Sequence, residues 1–168
     1  MVEIVGLGTE RDPASILLAT KEGNYIPNVR RRTQPPAIMR EAVRIHSAEH
    51  PSMRVRSLSS EYNCVGLVFA SRRTWVDPDL VPMISKEDGY RRIQPSEVES
   101  GDVLVYRNAT GELVHLAIVL DHYPDVVEAS WKSRVVSQWG GDGEYLHDAN
   151  DVSPFLGNPV EFWTERRT

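Results

Sequence analysis

Residues 113–120 read Leu113-Val114-His115-Leu116-Ala117-Ile118-Val119-Leu120, an apolar run broken by a single histidine. Both faces of a strand with this pattern are apolar, which predicts an interior strand of a sheet. Further strand-like runs, separated by turn residues, surround it at 103–106, 126–131 and 135–139, and residues 159–163 are predicted as an edge strand. Successive strands joined by short turns predict an antiparallel meander.

Two helical patterns precede these strands. Residues 37–50 carry apolar side chains at steps of three and four, and Pro51 stops the pattern. Residues 63–74 are apolar around most of the helix, which predicts a buried helix. Helices followed by an antiparallel meander are typical of an α+β domain. We therefore predict an irregular N-terminal arm over residues 1–36 and a single α+β domain over 37–168.

The only cysteine of the chain, Cys64, lies at the predicted start of the second helix. The positive end of a helix dipole lowers the pKa of a thiol and favours the nucleophilic thiolate. His115 lies on a predicted core strand and is a candidate general base, because residues distant in sequence can meet across a helix–sheet interface. The sequence thus predicts a Cys64–His115 pair.

Three stretches extend this hypothesis, namely Asn63-Cys64-Val65-Gly66-Leu67, Gly101-Asp102-Val103-Leu104 and His115-Leu116-Ala117-Ile118. In order and content they resemble the NlpC-like branch of the papain-like cysteine peptidases, a group that includes the CHAP amidases. The resemblance covers residues 62–131 and implies a papain-like (NlpC-type) core, with Cys64 as nucleophile and His115 as base. Asn63 and Val65 depart from the aspartate and serine usual in the family motif.

The family also has a polar residue about a dozen positions after the base, which orients the imidazole. This resemblance implies Glu128 in that role, with Asp121 and Ser137 as weaker candidates. A carboxylate there would fix the tautomer and stabilise the imidazolium. The backbone amide of Cys64 is the candidate oxyanion donor, and Tyr62 and Asn63 are candidates for oxyanion or substrate contacts.

Trp139 and His147 flank a glycine-rich segment after the predicted strands. We predict that this segment walls the cleft, with Trp139 as a stacking surface and His147 as a polar contact. The alternative is a structural turn around a buried tryptophan.

A different enzyme class is suggested by His46-Ser47-Ala48-Glu49-His50, which matches the H-x-x-E-H motif of zinc peptidases. Pro51 follows directly, so His50 would lie in a fraying last turn. This alternative therefore requires a third ligand from another part of the chain.

The formal net charge of −5 and the scattered basic residues argue against a nucleic-acid partner. The sequence shows neither a signal peptide nor a run of about 20 apolar residues, which predicts a cytoplasmic protein without a membrane anchor, one that a dedicated secretion system could still export.

The leading functional hypothesis is a cysteine-dependent hydrolase, whether peptidase, amidase or deamidase, or an acyltransferase. It would cleave an amide, isopeptide or thioester bond of a peptide or protein substrate, for example a cell-wall peptide, through an acyl-enzyme and without a metal or organic cofactor. The competing hypothesis is a catalytically inactive papain-like module that uses the cleft for recognition.

Overall fold

The computed structural model describes residues 14–167. Over this range three α-helices alternate with short strands in the first half, and the second half consists of successive strands. In order the helices and strands are β1 (Asn28–Val29), α1 (Pro36–Glu49), β2 (Arg54–Ser57), α2 (Cys64–Phe69), β3 (Trp75–Val76), α3 (Val81–Glu87), β4 (Arg91–Ile93), β5 (Val103–Arg107), β6 (Leu113–Asp125), β7 (Ser130–Gln138), β8 (Glu144–Asp148) and β9 (Asn158–Thr164).

Seven of these strands form one sheet in the order β2-β8-β7-β6-β5-β9-β4, and β1 pairs with β3 in a separate two-stranded sheet. All pairings in both sheets are antiparallel. Strands β5 to β8 are neighbours in the sheet in chain order, so the predicted meander and the α+β class are confirmed.

The two faces of the large sheet pack against different helices. Val105 and Leu116 are cross-strand partners and belong to the core cluster that contains Cys64, together with residues of α3. We call this side of the sheet the α2 face. Tyr106 and His115 form the next cross-strand pair of β5 and β6, and their side chains point to the opposite side of the sheet. We call this side the α1 face, because its β7–β8 end packs against α1.

Helix α2 is half as long as the predicted helix over 63–74. It ends at Phe69, and the chain then reverses through Ser71 and Arg72, which have left-handed φ angles of 49° and 64°. The reversal returns the backbone to α2, where the Thr74 carbonyl lies directly over Gly66. The tight return, rather than local helix propensity, sets the length of the helix.

Three strand predictions need correction. Residues 126–129 form the turn between β6 and β7 rather than a strand, because β6 continues to Asp125. Strand β9 is not at an edge but lies between β5 and β4. Pro159 pairs with Tyr106, at the point where the β5–β9 register shifts. A bulge of this kind tolerates a proline, because the missing N–H is not needed for a ladder hydrogen bond there. Strand β8 forms where the sequence pattern predicts a loop.

Part of the predicted N-terminal arm contributes to the core. Ile26 is 1% exposed and packs in the same cluster as Cys64, and β1 pairs with β3 immediately after it. Residues 1–13 of the arm lie outside the described residues. Within residues 14–167, the structure contains no helix with the length and apolarity needed to cross a bilayer.

Candidate functional site

Cys64 is the first residue of α2, as the sequence predicts, but its thiol is buried. The residue is 8% exposed, and it contacts the backbone of Leu116 on the α2 face. Burial raises the pKa of the thiol to about 11, against the expectation of a lowered pKa. The prediction is wrong because α2 has six residues and lies in the core, where loss of hydration outweighs the field of so short a helix.

His115 does not face Cys64. Its ring lies on the α1 face, 5.2 Å from the ring of Tyr106, whose hydroxyl donates to the Ala149 carbonyl (2.9 Å) on that face. Leu116, one residue on, is the member of β6 that packs with Cys64. The predicted Cys64–His115 pair is therefore wrong, since adjacent residues of a strand point to opposite faces.

Glu128 lies far from this strand segment, in the turn between β6 and β7. Its side chain is 63% exposed and forms an ion pair with Lys132 (3.2 Å). Its predicted role in orienting the His115 ring is wrong, because β6 runs five residues beyond the predicted strand and carries Glu128 out to the hairpin tip.

Tyr62 is buried and its hydroxyl donates to the carboxylate of Glu144. Burial raises the pKa of Tyr62 to about 12, and the neighbouring carboxylate adds to the shift. Glu144 also binds Arg72 (2.9 Å) and Arg56 (3.0 Å). The predicted oxyanion role of Tyr62 is wrong, because its only O–H is used inside this ionic network. Glu144 and its arginines are far apart in sequence, and no local pattern marks them as partners.

Asn63 caps α2 and joins it to β3. Its Oδ1 accepts from the backbone N–H of Gly66 (2.9 Å) and of Val76 (3.2 Å), while Nδ2 donates to the Val76 carbonyl (2.7 Å). These bonds occupy the amide group, while Asn63 also lines the groove described below, so the predicted substrate contact stays a prediction. The residue has a capping function in the structure.

Trp139 and His147 are both buried on the α1 face, at 4% and 0% exposure. Trp139 Nε1 donates to Ser137 Oγ (2.9 Å), Ser137 Oγ lies 2.8 Å from His147 Nε2, and His147 Nδ1 donates to the Asp148 carbonyl (2.9 Å). The predicted cleft wall is wrong, and the alternative of a buried tryptophan is confirmed. His147 lies on β8, where its pairing with Val135 of β7 places it in the core. Trp139 directly follows the last residue of β7.

The H-x-x-E-H motif does not form a metal centre. Helix α1 ends at Glu49, so His50 follows the last turn, and both His46 and His50 pack edge-on against Trp139, with ring centroids 4.9 and 5.0 Å away. Over the described part of the chain, no group of three or more His, Cys, Asp or Glu side chains is arranged to hold a metal ion.

An open groove next to the start of α2 is lined by residues of the paired strands β1 and β3. It has a volume of about 450 Å³, and its lining residues are Pro27, Asn28, Val29, Arg31, Asn63, Trp75, Val76, Asp77 and Pro78. We call it the Trp75 groove. The indole of Trp75 is fixed by its Nε1 donating to the Ser60 carbonyl (2.8 Å), and the Arg31 guanidinium stacks 3.8 Å from the ring centroid. This groove is not predictable from the sequence, because its two walls are 46 residues apart and meet through β1–β3 pairing.

No protein-family model, curated protein or solved structure matches this chain. Its function is therefore inferred from the fold and from the geometry of the site.

Proposed function

We propose that the chain is a peptide-recognition module, built on an α+β scaffold similar to the NlpC-type papain-like core but without a catalytic dyad. The single observation that carries this proposal is the orientation of Cys64 and His115 toward opposite faces of the sheet. A cysteine hydrolase requires an imidazole within hydrogen-bond reach of its thiol. Here the thiol packs among apolar side chains and has a raised pKa, which suits a structural residue.

The Trp75 groove supplies the recognition surface of the proposed module. Its apolar lining comes from Trp75, two prolines and two valines, and it is open enough to admit an extended chain. Aromatic-lined grooves bind extended and proline-rich peptides, because such segments lose little conformational entropy on binding. The indole is already held in place by its hydrogen bond to the Ser60 carbonyl, so binding a peptide costs little conformational entropy for this side chain.

The charges at the groove refine the chemistry of the partner. Arg31 and Asp77 are exposed residues of opposite sign in the lining. A peptide with an apolar or proline anchor and flanking charges of both signs would match this arrangement. We therefore propose an extended peptide segment of mixed charge as the ligand.

The first test concerns the thiol. At neutral pH, we expect iodoacetamide to label Cys64 of the native protein at least about a hundredfold more slowly than in the urea-unfolded chain, since two pKa units lower the thiolate fraction by that factor. Mass spectrometry of timed samples measures both rates.

His115→Leu is the matched variant for this test, because it replaces the imidazole with an apolar side chain of similar size. We expect its native labelling rate to equal that of the unmodified protein. Rapid native labelling that disappears in His115→Leu would instead establish a cysteine–imidazole pair and overturn the proposal.

The second test concerns the groove. Peptides selected from a displayed library of random dodecamers on the intact protein are expected to share proline or aromatic anchors. Arg31→Ala should weaken the binding of a fluorescein-labelled selected peptide about tenfold in fluorescence anisotropy, because it removes the stacked cation and one groove charge.

Arg30→Ala provides the control for this measurement. It makes the same change in charge one residue away, and Arg30 does not line the groove. We expect it to change affinity by less than about twofold, the size of a remote surface effect. Equal affinities of the two variants, or a library that yields no binding peptide, would exclude the Trp75 groove as the recognition site.

A further inference from the structure

A second candidate surface lies at the β6–β7 hairpin, beyond the part of the sheet that α1 covers. Two depressions, of about 370 and 280 Å³, share Ser133, Ala149 and Asn150 in their linings and so adjoin each other at these residues. We call the two depressions together the sheet groove. Its first end is lined by Tyr123, Glu128, Lys132, Asp148 and Asp151, and its second end by Pro95, Leu104, Trp131, Pro159, Val160 and Phe162.

The second end contains a rigid aromatic platform. The ring of His122 stacks on Trp131 with centroids 4.8 Å apart and planes 5° from parallel. His122 is itself fixed at both nitrogens, since Nε2 donates to the Pro95 carbonyl (2.8 Å) and Nδ1 lies 2.7 Å from Ser133 Oγ. Trp131 remains 44% exposed although one of its faces is covered, so its other face is open to a ligand.

The first end of the groove is polar and acidic. Its lining contains the three carboxylates of Glu128, Asp148 and Asp151, and two cations lie beside them, Lys132 next to Glu128 (3.2 Å) and Arg134 next to Asp148 (3.7 Å). Asn150 adds an exposed amide. Carboxylates accept hydrogen bonds from neutral hydroxyl groups, and an amide can both accept from them and donate to them. The excess negative charge of the carboxylates repels phosphate, sulfate and other anions.

We propose that the sheet groove binds a neutral oligosaccharide. A pyranose ring presents C–H groups on its flat faces, which the electron-rich face of Trp131 attracts, and hydroxyl groups around its edge, which the polar end of the groove can bind. The two adjoining depressions, with an aromatic platform in one and polar side chains in the other, suit linked sugars rather than a single one. The acidic lining disfavours nucleic acids and sulfated glycans as ligands.

The test uses two uncharged, extended tetrasaccharides, cellotetraose and chitotetraose, each titrated into the full chain and followed by saturation-transfer NMR and calorimetry. We expect at least one of them to bind. Trp131→Ala should weaken that binding at least tenfold, and Trp131→Phe should restore it to within about threefold, because it keeps an aromatic face.

Three controls distinguish sugar binding in the sheet groove from sugar binding elsewhere on the chain. Phe155→Ala removes an aromatic side chain that is 93% exposed and does not line the groove, and it should leave affinity unchanged. Arg31→Ala should also bind sugar normally, so failure of the peptide proposal would not affect this result. A heparin-derived tetrasaccharide should bind more weakly than the neutral ligand. The inference is overturned if neither neutral tetrasaccharide binds, if Trp131→Ala binds as tightly as the unmodified protein, or if the anionic sugar binds best.

Discussion

Gly66→Ala is expected to lower the free energy of unfolding by at least about 3 kcal/mol, a large part of the stability of an ordinary domain. A Cβ atom at this position would lie 1.8 Å from the Thr74 carbonyl oxygen and 3.2 Å from Cβ of Tyr62. The first contact is with backbone, so relief requires movement of the whole return segment after α2. Helix propensity alone gives the opposite sign, because alanine stabilises a helix by about 1 kcal/mol relative to glycine.

Urea unfolding followed by tryptophan fluorescence measures this difference, and Gly141→Ala is the matched control. Its added Cβ would lie 2.6 Å from the end of the Gln34 side chain, which can move aside, and at an ordinary contact distance of 3.8 Å from Ser60 Cβ. We expect the control to cost less than about 1 kcal/mol. A Gly66→Ala protein that is as stable as the unmodified chain would contradict the close approach of Thr74.

Stability is also expected to fall steeply as the pH drops below 6.5, because two buried histidines are neutral in the folded protein. Burial lowers the pKa of His115 to about 3, with a further contribution from His147. Burial also lowers the pKa of His147 to about 4, although the Asp148 carbonyl and the Asp151 carboxylate oppose the shift. The hydrogen bonds explain why the neutral form fits, since His147 Nδ1 donates to a carbonyl and Nε2 is left to accept from Ser137.

The sign follows from proton uptake. Below pH 6.5 the unfolded chain protonates both imidazoles and the folded chain does not, so unfolding becomes more favourable as the pH falls toward 4. Each histidine contributes up to about 1.4 kcal/mol per pH unit, which amounts to about 3 kcal/mol for the pair between pH 6.5 and pH 5. Well above pH 6.5 both imidazoles are neutral in the folded and in the unfolded chain, so these two groups no longer change the free energy of unfolding with pH.

Urea titrations at a series of pH values measure the slope, and His115→Leu removes one of the two titrating groups. We expect this variant to lose about half of the fall between pH 6.5 and pH 5, whatever its absolute stability. Comparing slopes rather than midpoints separates titration from any packing change. Parallel plots of unfolding free energy against pH for the variant and the unmodified chain would show that His115 does not contribute to the pH dependence.

The two proposed binding surfaces are formed by different parts of the fold. The Trp75 groove is lined by β1 and β3 next to the start of α2, whereas the sheet groove lies at the β6–β7 hairpin. Because no lining residue is shared, the Arg31 and Trp131 variants report on the two surfaces independently.

The α+β class, the meander and the start of α2 at Cys64 could all be predicted from the chain. These features depend on local periodicity and on turn residues, which a single sequence displays directly. The capping role of Asn63 was not predicted, although its signal is local, because a cap bonds to an amide three residues away.

The faces of the strands could not be predicted in the same way. The apolar run of β6 has no alternation, so nothing in it specifies whether His115 or Leu116 points toward α2. That choice depends on the register with β5, which pairs Leu116 with Val105 in the Cys64 cluster and sends His115 to the other side with Tyr106. One step in register separates a catalytic pair from two unrelated core residues.

Sequence alone therefore determined the α+β class and the antiparallel meander, and it placed a lone thiol at the start of a buried helix. Tertiary structure alone decided which side chains meet: Glu144 with Tyr62 and two arginines, His147 with Ser137, and Trp131 with His122. The physical reason is the separation along the chain of the residues that interact. Hydrogen bonding within a turn or a helix involves residues close in the chain, whereas burial, pKa and the shape of a groove arise from contacts between segments that only the packed sheet brings together.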